Sequence, residues 1–173
     1  MNKLAVAAAA TACAVMALTT GLAAAKSQAR AKGAECPSIN ILPDAVRITQ
    51  MSSGRVDLKA EIREPAIACT VTGGKAKSKL SFWVKSAIAP NSDVAARSVP
   101  YFVAIIVDGE VIGKEVFQLA LPFAGSDRKL MVKEKVARIE IPVAKGRMAE
   151  DYSVTIGFQL TPEQVAYNRT ASR

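Results

Sequence analysis

Long stretches of this chain alternate apolar and polar residues with a period of two, a pattern that one face of a strand can bury and a helix cannot. Val56, Leu58, Ala60 and Ile62 alternate with Arg55, Asp57, Lys59, Glu61 and Arg63. Tyr152, Val154, Ile156, Phe158 and Leu160 alternate with Ser153, Thr155, Gly157 and Gln159, and Leu80, Phe82 and Val84 repeat the pattern. Tyr101 to Val107 is apolar throughout, which suits a central strand covered on both faces.

The punctuation favours antiparallel neighbours. Asp108-Gly109 lies between two apolar runs and is a strong hairpin signal, because both residues tolerate positive φ. Gly73-Gly74 would turn the strand holding Cys69 into the one holding Phe82, and Ser52-Ser53-Gly54 would join 45–51 to 56–63. Pro65 marks an edge, bend or strand break. Between Lys129 and Pro142 the apolar phase switches from Leu130 and Val132 to Ile139 and Ile141, so a bulge is expected near Val136 and Ala137. Thr161, Pro162 and Gln164 together make a helix start with a capping box, and Val165 and Tyr167 would pack that helix on the body. About eight short strands and one C-terminal helix predict an all-β fold: an antiparallel β-sandwich, immunoglobulin-like, with a small barrel as the alternative. The sandwich domain is expected over 36–168, with a tail at 169–173.

The N-terminus reads differently. Lys3 precedes an apolar run from Leu4 to Ala25, which ends in Ala23-Ala24-Ala25 before Lys26. This is the layout of a signal peptide over 1–25. An uncleaved anchor is a second reading, because the run approaches the ~20 residues that span a bilayer. A lipid-attached form is a third, although Cys13 sits in a poor lipobox, Ala10-Thr11-Ala12, and is followed by more apolar residues. Residues 26–35 are small, polar and basic and are expected to form a flexible tether. A periplasmic address follows from the leader, with membrane association only through an uncleaved or lipidated N-terminus. Beyond the leader only Cys36 and Cys69 remain, and in an exported protein they predict one disulfide, with two separate buried thiols as the alternative. Closing a loop of that length stabilises by roughly 3–4 kcal/mol in the chain-entropy model.

The sequence also excludes chemistry. It holds no histidine, which removes Ser-His-Asp and Cys-His nucleophile systems and every His-ligated metal site. Phosphate-binding glycine loops are absent. Ser126-Asp127-Arg128-Lys129 matches S-x-x-K in form, but the other elements that make the motif catalytic are missing, so it reads as a solvated loop. Glu61, Asp57 and Glu110 fall on wet faces or turns. Glu134 would point inward if the first phase of its strand holds, with a partner Lys or Arg or the nearby bulge accounting for it. No catalytic residue, metal ligand or cofactor is expected.

One strand carries a surface feature. Lys75, Lys77, Lys79, Trp83 and Lys85 share a parity opposite to Leu80, Phe82 and Val84. This places the only tryptophan on the wet face of a basic stripe, which could bind an anionic envelope ligand: peptidoglycan, lipopolysaccharide or a lipid headgroup. The same lysines could instead protect an edge strand from pairing with another molecule, and Trp83 could pack under a loop. The chain has 23 Lys+Arg against 15 Asp+Glu, a net charge of +8. Export sets nucleic acid aside as a partner and leaves acidic envelope polymers and proteins.

Cys36-Pro37 followed by Ile41-Leu42-Pro43-Asp44, Cys69, the run Pro100-Tyr101-Phe102-Val103-Ala104, and Ile156-Gly157-Phe158-Gln159-Leu160-Thr161 with Asn168-Arg169 resemble an uncharacterised family of exported and lipid-anchored envelope proteins of alphaproteobacteria. The resemblance spans the chain beyond the leader. It implies an envelope address and supplies no reaction, ligand or site residue. Many relatives carry a lipobox cysteine, and this chain departs from that pattern. The sequence thus points to a non-catalytic periplasmic envelope protein, acting as a structural or protein-interaction module or as a binding module for an anionic envelope ligand.

Overall fold

A computed structural model describes residues 36–171, apart from the side chain of Ala171. The expected leader over 1–25 and tether over 26–35 lie outside the described residues. The described chain forms β1 (Ser38–Ile41), β2 (Arg47–Ser52), β3 (Arg55–Thr72), β4 (Lys75–Ile88), β5 (Arg97–Val107), β6 (Glu110–Leu121), β7 (Lys129–Pro142), β8 (Tyr152–Phe158) and α1 (Pro162–Ala171), with 3₁₀ turns at Pro43–Ala45 and Ala149–Asp151.

The strands make two four-stranded sheets, ordered β1-β8-β5-β6 and β2-β3-β4-β7. Every pairing is antiparallel except β1 with β8. The alternating residues of both sheets meet in one core. Leu58, Ile62, Phe82 and Val84 come from one sheet, and Tyr101, Val103, Leu119 and Ile156 from the other. The result is an all-β sandwich. Its order differs from the seven-stranded ABED/CFG arrangement of an immunoglobulin constant domain.

The hairpins follow from their turn residues. Ser53-Gly54, Gly73-Gly74 and Asp108-Gly109 all have positive φ, the type I′ geometry that matches strand twist. The phase switch in β7 is a bulge: Leu80 pairs with Val136, whereas Ser78 pairs with Ile139. Pro65, expected to mark an edge, bend or strand break, leaves β3 unbroken. Arg63 pairs with Trp83 and Ala66 with Ser81, so the extra residue is absorbed as a bulge. Glu64 takes φ 50° there. Proline suits that position because a bulged residue has no ladder partner to lose.

Cys36 and Cys69 form the disulfide, with Cα atoms 5.6 Å apart. It ties the residues entering β1, in one sheet, to β3 in the other. A second link crosses the sandwich where Tyr101 Oη of β5 donates to Glu134 Oε1 of β7 at 3.0 Å. Tyr101 also stacks on Phe117 and meets Phe82 edge-on. Glu134 therefore faces inward as its parity required, but its partner is a phenol rather than the Lys or Arg expected, because the facing position on the other sheet is Tyr101.

The capping box of α1 forms as expected, with Thr161 N donating to Gln164 Oε1 and Gln164 N to Thr161 Oγ1. Two expectations about this end need correction. Val165 and Tyr167 do not build an apolar seat for the helix; polar contacts hold it, with Gln164 Nε2 donating to Thr49 O and Asn168 Nδ2 to Asp44 O and Arg47 O. The helix also runs to Ala171, into the tail expected at 169–173, and Arg169 there pairs with Asp44 at 2.7 Å.

Candidate functional site

The parity that buries Leu80, Phe82 and Val84 sends their neighbours to the opposite side of the sheet. Lys75, Lys77, Lys79 and Lys85 are exposed there and Trp83 is half-buried. The reading of these lysines as edge protection fails, because β4 lies inside its sheet and pairs with β3 and β7 along its length. A central strand has no free edge to protect. Trp83 lies in that face as well, between Arg63 of β3 and Lys133 of β7.

The neighbouring strands extend the charge. In β7, Lys129, Lys133 and Lys135 share the outward parity, and β3 contributes Lys59 and Arg63. The strand registers set these side chains in rows: Lys59, Ala87 and Lys129; Glu61, Lys85 and Met131; Arg63, Trp83 and Lys133. Lys133 Nζ stands 5.4 Å from the centre of the Trp83 ring, within cation–π range. The sequence reading found the β4 stripe and missed its flanks. The signal was present in the alternation of Lys129, Lys133 and Lys135 with Leu130, Val132 and Glu134, but only the register shows that β7 lies beside β4 with its lysines on the same side.

Few carboxylates share the face, and those are occupied. Glu61 pairs with Arg47 at 3.7 Å and Arg63 at 3.2 Å, and Glu140 pairs with Lys75 at 3.6 Å. Among the described residues, Lys59, Lys77, Lys79, Lys85, Lys129 and Lys135 have no ion-pair partner. Like charges on adjacent strands repel at short range, so this surface carries a potential that an anion would lower.

At the α1 end the face deepens into a cleft of about 470 Å³, lined by Arg47, Thr49, Lys59, Lys85, Ala87, Lys129, Tyr167 and Asn168 among others. Of the stripe residues named from sequence, only Lys85 reaches it. A second cleft, under the loop 89–96, is lined by residues bound to one another. Arg97 pairs with Asp57 at 3.7 Å, and Ser92 Oγ donates to Asp57 O. Arg128 Nη1, from outside that cleft, donates to Ala89 O and Ser92 O. That arrangement fastens a loop.

The remaining candidates resolve simply. Ser126 lies in a turn and Lys129 at the start of β7, so S-x-x-K does not fall on one helical turn. Burial, the hydrogen bond to Glu134 and the nearby charges of Glu134 and Glu115 push the Tyr101 phenol well above its ordinary value. It stays a protonated donor, as a link between sheets requires. Among the described residues, no group of three or more His, Cys, Asp or Glu is placed to hold a metal ion. No described helix is long and apolar enough to cross a membrane. No protein-family model, curated protein or solved structure matches the chain, so the reading of this surface rests on its own chemistry.

Proposed function

We propose that this protein is a non-catalytic binding module of the bacterial envelope, exported to the periplasm, that holds an anionic glycan on the outer face of the β2-β3-β4-β7 sheet. The observation that carries the reading is the set of unpaired lysines from three adjacent strands around Trp83. Successive outward residues of a strand are spaced about 7 Å apart, so Lys75, Lys77 and Lys79 present a line of charge to an extended polyanion. Trp83 lies in the face, half-buried and flanked by Arg63 and Lys133, where a sugar ring can stack on it. That placement favours a glycan over a bilayer, into which an anchoring aromatic would protrude. The Cys36–Cys69 bond supports the exported address, because such bonds persist in oxidising compartments.

Cosedimentation with purified peptidoglycan and with lipopolysaccharide tests the reading, with phosphatidylglycerol vesicles as the contrast. Retention on one of the glycans should fall steeply with salt, as charge-driven binding does. It should drop at least tenfold in a Trp83→Ala/Lys79→Glu variant. Retention that ignores both changes, or that is strongest on the vesicles, overturns it. The address has its own test: in cells, both thiols should resist alkylation until a reductant is added.

A second reading, a protein-interaction module, draws on β6. It is the outermost strand of its sheet, and Val111, Ile112 and Val116 are exposed on it. Crosslinking from position 112 to a defined envelope protein, unchanged by the Trp83→Ala/Lys79→Glu variant, would favour that reading over the glycan.

A further inference from the structure

The cleft beneath α1 has a chemistry of its own. Its floor includes Ala87, whose short side chain leaves room between the strands. Lys59 and Lys129 flank that alanine directly on the two neighbouring strands, and Lys85 sits two residues away on the same side of β4. Residues facing each other on adjacent strands are about 5 Å apart, so the three ammonium groups can converge on one point above Ala87. The carboxylates of the cleft do not neutralise them. Asp44 is taken by Arg169, and Glu61 by Arg47 and Arg63. Across the opening stand the Tyr167 ring, 40% exposed, and Asn168. Gln164, Asn168 and Arg169 fix the helix that carries them.

We propose that this cleft binds a phosphorylated sugar, with the phosphate held by Lys59, Lys85 and Lys129 and the sugar ring against Tyr167. A phosphate monoester brings nearly two negative charges at neutral pH, and it compensates three lysines better than a single carboxylate does. The volume of about 470 Å³ lies in the usual range for small-ligand sites. Tyr167 and the apolar floor suit the carbon face of a sugar, and Thr49 suits a hydroxyl. The inference deepens the glycan reading: a polymer on the face would offer its phosphorylated unit to the cleft, where a free sugar phosphate would bind equally.

Titration calorimetry on the full chain with glucosamine 1-phosphate, glucosamine and inorganic phosphate tests this. The sugar phosphate should bind at least tenfold more tightly than either fragment. Lys59→Ala/Lys129→Ala should weaken it tenfold or more and Tyr167→Ala about threefold, while Lys59→Arg/Lys129→Arg retains binding and shows that the charge is what matters. Equal binding in wild type and the double alanine variant overturns the site. Inorganic phosphate binding as tightly as the sugar phosphate overturns the sugar assignment. Trp83→Ala/Lys79→Glu, whose two positions lie outside the lining of the cleft, should leave this titration unchanged while reducing polymer retention. Loss of one result without the other therefore shows which of the two readings has failed. Comparing retention on phosphorylated and dephosphorylated lipopolysaccharide separates a polymer-borne phosphate from a free one.

Discussion

The two outer faces of this sandwich are built from the same alternation and treated in opposite ways. On the β1-β8-β5-β6 sheet, Phe102 and Ala104 point away from the central core yet are only 9% and 4% exposed. Ala45 of the 3₁₀ turn and Leu160, after β8, cover them in a small second core. Asp44, beside Ala45, is clamped by Arg169. The outer face of the β2-β3-β4-β7 sheet has lysines where the other has Phe102 and Ala104, and α1 meets it only at the end that forms the cleft. Over Phe102 and Ala104 the chain covers its own sheet, while Val116 of β6, paired with Phe102, stays exposed. The other face keeps lysines without ion-pair partners among the described residues, the feature from which the proposed glycan reading starts.

The comparison breaks most readily at Gly157. A Cβ there would lie 2.8 Å from Ala45 Cβ and 3.0 Å from two carbons of the Phe102 ring. Gly157→Val should therefore destabilise by about 2–3 kcal/mol, the scale of an overpacked core. Ser81→Val, on the outer face of the other sheet, should stay within about 0.5 kcal/mol. Urea denaturation of both variants measures the difference. Equal costs would mean that Ala45 and Leu160 rest loosely on their sheet, and that the two faces differ in composition alone.

A somewhat smaller effect tests the link that holds the two sheets in register. Tyr101→Phe removes the donor to Glu134 and leaves a half-buried carboxylate without its partner, at a cost of about 1–2 kcal/mol. The pH dependence has a definite sign. The folded phenol is raised above its ordinary value, and the unfolded one ionises near pH 10. The stabilisation is thus complete below about pH 10 and declines as pH rises further, because the unfolded state then releases a proton that the folded state retains. The gap between wild type and Tyr101→Phe should narrow between pH 9 and pH 11. A constant gap would show that the phenol is not held protonated.

These contrasts also mark what could be read from sequence. Strand identity, the three hairpin turns, the β7 bulge and the helix cap are local, and their signals lie within a few residues of one another. The disulfide was legible because, with Cys13 set aside in the expected leader, Cys36 and Cys69 were the two cysteines left to pair. The basic stripe of β4 was legible from parity. Its status as a central strand was not, because neighbour order depends on pairing between segments far apart in the chain, and Lys133 stands fifty residues from Trp83. The cleft was hidden for the same reason. Lys59, Lys85, Lys129 and Tyr167 come from four separate elements, and nothing near any one of them names the others. Pro65 left edge, bend and break open, and the register selects the bend: a bulge, where proline's missing N–H was not needed.

The smallest effect sharpens the comparison furthest. If the basic face takes no part in folding, reversing its charge should cost nothing in stability. Lys77→Glu/Lys79→Glu should unfold within about 0.5 kcal/mol of wild type and lean toward stabilisation at low salt, because it relieves repulsion among neighbouring lysines. Glu140 pairs across from Lys77, so part of that gain is returned as a new like-charge contact. Single Lys79→Glu, which lies opposite the β7 bulge, should therefore show the cleaner gain. Either shift should fade in 1 M salt, where the screening length falls to about 3 Å. A salt-resistant loss of more than 1 kcal/mol would place these lysines in the folding of the sheet, and the two faces would then differ less in purpose than in chemistry.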